Sequence, residues 1–326
     1  MHRPVAFATT IALGLGLAPG AMADDAPLRV LATIGMIADV AHNVAGPCAN
    51  VSTLIGAGTD PHDYSATPRD VQALASAELI LYVDAALEER LAGVLQNFTD
   101  RTPTIGLVAA TFEGAELLGD PDAPGTLDPH LWMDVSRWMR IAPVIADEIT
   151  RLRPACEQGI QDNLAQYMAR LGALHGWVGE TVATIPPQHR MLVTAHDAFA
   201  YYSDAYGMEA SEAIEGLSTT SEASIRDIRD VAAFVVDNNV PAVFVETTLN
   251  PRTIDALIAE ARSLGHDVTL GGELYSDAMG DDGTAEGTYI GMIRHNTATI
   301  AQALGGTVPP LPDVLHDWAE TWDMAQ

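Results

Sequence analysis

The sequence contains no lysine. Its 16 cationic side chains are all arginine and stand against 44 Asp and Glu, for a formal net charge of −28 over 326 residues. Such a surface repels nucleic acid and argues against phosphate-rich partners, because no basic stripe neutralises them. A diffuse negative field draws cations weakly and selects none, so solubility or salt adaptation accounts for most of the acids. Aromatic residues are few, at 6%. No apolar run in the body of the chain approaches the length of a bilayer span. HExxH, a nucleophile elbow and a glycine-rich phosphate loop are all missing. These gaps remove the usual local signatures of zinc hydrolases, serine hydrolases and nucleotide enzymes.

Cysteine is also scarce. Cys48 and Cys156 are the only two, and their spacing matches neither a zinc ribbon nor a redox CxxC. In an oxidising compartment the pair reads first as a disulfide; two separate buried thiols are the alternative.

The N-terminus points to such a compartment. Arg3 supplies a positive start, Val5 to Ala18 an apolar run too short to span a bilayer, and Ala21-Met22-Ala23 a small-x-small cleavage signature. Residues 1–23 are therefore expected to be a signal peptide cleaved near Ala23. No Cys follows the apolar run, so no lipid anchor is expected. The expectation is a soluble periplasmic protein starting near Asp24, with 15 Arg against 44 acids and a net charge of −29.

With 48% apolar residues the chain can bury a core larger than one typical domain. Short β-branched runs alternate with helical patterns. Strands are predicted at 28–33, 51–55, 79–83 and 104–108, with helices between them and another over 135–153. A long helical pattern then runs over 157–184, about 40 Å at ~1.5 Å per residue, and ends at Pro186-Pro187. After it the alternation restarts, with strands at 191–194, 209–214, 242–246 and 268–270. The fold class is α/β: two lobes with parallel sheets covered by helices, joined by a single long helix. The boundaries are 24–156, 157–185 and 186–326.

One local pattern occurs twice. Asp60-Pro61-His62-Asp63-Tyr64 and Asp128-Pro129-His130-Leu131-Trp132 share Asp-Pro-His-x-aromatic, each just ahead of a helix. Proline fixes the backbone before the histidine, and the preceding Asp can bond the loop. A metal ligand needs such a locked side chain. Either loop alone reads as a plain helix entry; the pair points to metal. His196, in Thr194-Ala195-His196-Asp197, sits where a strand ends and a helix begins, the place where open α/β sheets bind ligands. The acidic stretch Tyr275-Ser276-Asp277-Ala278-Met279-Gly280-Asp281-Asp282 taken alone is an ordinary solvated turn.

Together these segments resemble the zinc/manganese substrate-binding proteins of bacterial ABC importers, the cluster A-I or TroA-like family. The resemblance rests on LRVLATIGMIADVAHNVAG, TDPHDY, DPHLWMD, TAHDAFAYYSDAYG, EGLSTTSEAS, VFVETTLNP and LYSDAMGDDGTAEGTYIGMIRHN, and covers essentially the whole mature chain. It implies four metal ligands, His62, His130, His196 and Asp277, with the first two on one lobe and the last two on the other. It also implies a rigid connecting helix, so that capture and release involve modest lobe tilting. The implied partner is an ABC permease with its cytoplasmic ATPase, and the implied state a monomer.

Three imidazoles and a carboxylate suit Zn²⁺. Mn²⁺ prefers more oxygen ligands, which a bidentate Asp277 partly supplies. The His-rich acidic loop that often precedes the second ligand in zinc members is missing, since residues 113–127 contain no His. The cargo is thus Zn²⁺ or Mn²⁺, one per chain, with Fe²⁺ undecided. Asp60, Asp128, Asp134, Asp197 and Glu246 are candidate acceptors for the second ring nitrogen of each ligating imidazole. His295 reads as packing or hydrogen bonding. Two other functions compete: a zinc-dependent hydrolase and an adhesin-type surface protein. A closed four-ligand set favours carriage over catalysis, so no enzyme activity is expected.

Overall fold

The computed structural model describes residues 26–120, 125–221 and 223–324. The signal peptide and cleavage site expected at 1–23 lie outside the described residues. Strand β1 (Leu28–Ala32) is buried apart from Arg29. It feeds α1 (Gly35–Ala45), which buries Met36, Ile37, Val40, Ala41 and Val44, one helical stripe. β2 (Ala49–Thr53) follows. The predicted Thr67-Pro68 entry opens α2 (Pro68–Ser76), where Thr67 and Asp70 cap each other reciprocally.

β3 (Leu79–Tyr82) ends in an unusual turn. Asp84, Ala85 and Ala86 all have positive φ, at 82°, 50° and 67°. Buried Glu88 holds this turn, accepting from Thr33 Oγ1 at 2.6 Å, Val83 N at 2.8 Å and Asp84 N at 3.1 Å. The helix predicted there shrinks to α3 (Ala92–Gln96). β4 (Thr104–Gly106) is shorter than predicted, because Leu107 starts α4 (Leu107–Thr111). The four strands form a parallel sheet in the order β2-β1-β3-β4.

The helix predicted over 135–153 is two: α5 (Val135–Trp138) and α6 (Ile141–Leu152). Pro143 explains the break. Inside one continuous helix its missing N–H would cost a hydrogen bond and its ring would clash with a carbonyl one turn back; in the first turn of α6 no intrahelical bond is lost. The long helix α7 (Glu157–Ala183) runs 27 residues, as expected. A Cys48–Cys156 disulfide, with Cα atoms 6.2 Å apart, ties its start to the turn between α1 and β2.

The second lobe contains β5 (Met191–His196), α8 (Ala200–Tyr206), β6 (Ala210–Glu215), α9 (Ile225–Asp237), β7 (Ala242–Glu246), α10 (Arg252–Ser263), β8 (Thr269–Leu274), α11 (Tyr289–Ala303) and α12 (His316–Thr321). β5 pairs with β6 and β7 with β8, all parallel, and β5 lies beside β7. β8 continues past the predicted end at Leu270 because Gly271 and Gly272 take part in a register shift opposite Phe244. A Cβ at Gly271 would sit 2.6 Å from the Phe244 ring, so glycine here serves close packing rather than chain termination.

Two apolar cores result. One lies between β5–β8 and the inner faces of α9 and α10. The other runs without interruption from the first sheet through α7 to α8 and α11. The lobes therefore share a core rather than touching at a thin hinge. Among the described residues no helix is long and apolar enough to cross a membrane.

Candidate metal centre

Four polar side chains meet where the shared core ends. His62 comes from the loop between β2 and α2, and His130 from the turn before α5. His196 is the last residue of β5, and Asp277 lies in the loop after β8. The loops after β2 and β8 and the end of β5 thus lie beyond the carboxyl ends of parallel strands, where α/β folds place ligands. All four residues are buried, none more than 1% exposed.

Their atoms point at one another. His62 Nε2 is 3.3 Å from His130 Nε2. His196 Nε2 is 3.2 Å from Asp277 Oδ2, His130 Nε2 is 3.4 Å from Oδ1, and His62 Nε2 is 3.6 Å from Oδ2. One ligand atom from each residue fits within 4.8 Å of the others. Bonds of ~2.0–2.1 Å in a tetrahedral zinc site imply ligand–ligand edges of about 3.3–3.4 Å. Both Asp277 oxygens and His196 Nε2 are buried without a hydrogen-bond partner. Buried polar atoms seldom stay orphaned, and a cation at the centre of this cluster would engage them all. The residues fit a divalent metal ion.

The electrostatics are uneven. Burial lowers the His62 pKa to about 3, opposed by Asp277. Burial acts the same way on His130 but is outweighed by the Asp128 and Asp277 carboxylates, which raise it to about 9. His196 is likewise buried, yet Glu246 and Asp277 hold it well above the usual imidazole value. Asp277 stays well below the usual carboxylate value: burial pushes up, but His196 and His130 prevail.

Two of the five expected acceptors, Asp128 and Glu246, face the outer ring nitrogen of a site histidine. Asp128 Oδ1 accepts from His130 N at 2.9 Å and meets His130 Nδ1 at 2.7 Å. Glu246 Oε1 accepts from Ala195 N at 2.8 Å and His196 N at 3.0 Å, while Oε2 lies 2.5 Å from His196 Nδ1. Asp60 Oδ1 accepts from His62 N at 2.9 Å, and its other oxygen accepts from Thr219 Oγ1. Asp60 therefore meets the backbone and not the ring of its histidine, and it and the remaining two are corrections. Asp134 faces no ligand; it caps α5, accepting from Ser136 N at 2.8 Å, and pairs with Arg137 at 3.1 Å. Asp197 sits beside His196, where burial and then Asp128 raise its pKa to about 6, but among the described residues it makes no hydrogen bond to a ligand ring. His295 packs edge-on against Tyr275 and bonds the Glu273 carbonyl at 3.0 Å, as expected.

Sequence reading missed the aromatic scaffold around His130. Trp132 Nε1 donates to the Ser276 carbonyl at 2.8 Å, and Tyr289 Oη donates to the Trp132 carbonyl at 2.7 Å. Tyr201 Oη donates to the Asp128 carbonyl at 3.1 Å and accepts from Leu118 N at 3.0 Å. Tyr206 Oη accepts from Val135 N at 3.2 Å. These bonds join the His130 loop of the first lobe to α8, α11 and the Asp277 loop of the second. The aromatic two places after the histidine was the available signal.

The chain matches the family model described as zinc-uptake complex component A, periplasmic, over residues 30–303. It is similar to the manganese-binding lipoprotein MntA of Bacillus subtilis (strain 168), 38% identical over 301 residues that span 92% of this chain and 97% of that one. It is also similar to the zinc-binding protein TroA of Treponema pallidum (strain Nichols), 39% identical over 284 residues, 87% of this chain and 91% of that one. The solved structure of the periplasmic zinc-binding protein TroA from Treponema pallidum superposes with a TM-score of 0.82 at 38% identity, covering 85% of this chain and 99% of that one. Iron(III)-bound YtgA from Chlamydia trachomatis gives 0.77 at 27% identity, covering 87% and 100%. The α/β fold, the four converging side chains and the match over residues 30–303 lead to one conclusion: this chain belongs to the family of periplasmic zinc-uptake component A proteins.

Proposed function

We propose that this protein captures one divalent transition-metal ion, Zn²⁺ or Mn²⁺, through His62, His130, His196 and Asp277, and delivers it to an ABC permease powered by a cytoplasmic ATPase. Family membership supports the transport role, and the periplasm is the compartment it names. The observation that carries the reading is the buried convergence of three imidazoles and one carboxylate at tetrahedral-edge distances. Delivery rather than catalysis fits this geometry. Four ligands from the protein leave no built-in position for a reacting water. Asp128 and Glu246 stand against the outer ring nitrogens of His130 and His196, where they orient the two imidazoles. We place the lobes at 24–156 and 186–326, with 157–185 as connector. The site is complete within one chain, so a monomer suffices.

The three-nitrogen set makes Zn²⁺ the tighter ion. Asp277 presents one oxygen toward His130 and the other toward His62 and His196. Such a carboxylate can also bind through both oxygens, which supports Mn²⁺. The relatives divide in the same way, since MntA is described as manganese-binding and TroA as zinc-binding. Metal analysis of the purified protein should find one ion per chain. His62→Ala and His130→Ala should each lose stoichiometric binding, and competition titration of His196→Glu should show a shift toward Mn²⁺. Unchanged stoichiometry in both alanine variants would sink the site.

A further inference from the structure

The two Asp-Pro-His loops use their first residue differently. Asp128 spends Oδ1 on both the backbone and the ring of its own histidine. Asp60 bonds only the backbone of His62, and its second oxygen reaches into the other lobe to Thr219, 2.5 Å away. His62 Nδ1 is left buried without an acceptor. Nothing inside its own loop therefore fixes the His62 ring.

The loops also differ in how they are held. Bonds from Trp132, Tyr201, Tyr206 and Tyr289 lock the His130 loop to the second lobe. Among the described residues, Thr219 to Asp60 is the one hydrogen bond that carries the His62 loop across. At the base of that loop Gly58 takes a positive φ of 65°, and Gly56 and Ala57 line a cleft of about 900 Å³. Apart from the contact of His62 itself with Asp277, the loop is thus tied to the other lobe by this single hydrogen bond among the described residues.

We infer that Thr219 is a positioning residue that latches the His62 loop through Asp60, making His62 the last ligand to engage the metal and the first to leave. His130, His196 and Asp277 form the standing part of the site. This rests on the reading that the four residues hold the ion. Thr219 stands 159 residues from Asp60 in sequence, on the turn that leads to α9. Ser218 Oγ and Thr220 Oγ1 bond each other at 3.0 Å on either side of it. That turn presents the Thr219 hydroxyl to the opposite lobe.

The test follows Zn²⁺ release from the full-length mature protein into excess EDTA by stopped flow. Thr219→Val keeps the side-chain shape and removes the donor to a charged acceptor, so release should quicken by about tenfold. Thr219→Ser should return it to within about twofold of wild type. Amide exchange in residues 56–66 should quicken in Thr219→Val, while that of 128–135 stays as it was. Wild-type release from Thr219→Val, or a serine variant as fast as the valine one, overturns the latch and leaves the metal site standing. A wild-type protein that takes up no Zn²⁺ overturns both.

Discussion

Residues 60–64 and 128–132 carry the same pattern and deliver a histidine to the same point, yet the protein treats them as opposites. Burial presses on both rings, but the Asp128 and Asp277 carboxylates raise the His130 pKa to about 9, whereas burial lowers that of His62 to about 3. Trp132 is wholly buried and bonds across the lobes, whereas its counterpart Tyr64 is half-buried and bonds Asp70 within its own lobe at 2.8 Å. A repeated motif therefore specifies the backbone entry and the ligand atom, but not the stiffness. Stiffness comes from what the fold packs against each copy. One stiff and one yielding ligand suit a carrier that must bind tightly and still release.

Removing each ligand in turn is the harshest way to break this comparison. Four-ligand zinc sites reach ~10–16 kcal/mol, so one ligand is worth a hundred- to a thousandfold on the order of magnitude. His130→Ala should lie at or beyond the upper end, because it also leaves Asp128 buried without its ring partner. His62→Ala should lie nearer the lower end, since its ring has no second partner to orphan. Competition titration with Zn²⁺ ranks the two. The reverse order would show that His62 belongs to the standing part of the site.

A gentler contrast concerns the two acidic residues. Groups that orient a metal-bound imidazole typically change affinity by ~10–100-fold when removed. Asp128→Ala should show that loss in equilibrium affinity. Asp60→Ala should fall below it, by about tenfold, and mainly in the release rate, because Asp60 holds a loop rather than a ring. Equal losses carried by the same rate constant would erase the distinction drawn here.

The sequence made much of this visible, for reasons that can be traced. His62 and His130 stood out because the motif is doubled, and His196 because it ends a strand. Asp277 was reachable only by resemblance, since its loop also offers Asp281 and Asp282. Asp134 was misread as a partner of the site although it stands directly ahead of the helix predicted from 135; its carboxylate caps that helix through Ser136 N instead of reaching a histidine ring. The eight strands of the described residues were largely legible from β-branched runs. The end of β8 was not, because a Gly-Gly pair looks like a terminator until Phe244 is seen against it. Thr219 lies in EGLSTTSEAS, one of the segments that carry the resemblance, but nothing there linked it to Asp60: the two are 159 residues apart, and only folding brings them together.

The smallest expected effect separates the two aromatic positions and concerns stability rather than binding. Trp132→Phe removes the N–H that satisfies the Ser276 carbonyl at a fully buried site. An unsatisfied buried acceptor costs about 1–3 kcal/mol, and the smaller ring leaves a void as well. Tyr64→Phe removes a hydroxyl from Asp70, whose same oxygen keeps the Thr67 backbone at 2.7 Å and the Thr67 hydroxyl at 2.8 Å. With that acceptor still satisfied and the ring half-exposed, the loss should stay within about 0.5 kcal/mol. Thermal unfolding of the two metal-free variants reads the difference directly, as a fall of several degrees for Trp132→Phe and almost none for Tyr64→Phe. Trp132→Phe should also disturb the metal site, because Ser276 precedes Asp277 in the chain. An equal, small shift in both would mean that the bonds around His130 add no more rigidity than those around His62, and the contrast between the loops would then rest on Asp60 and Asp128 alone.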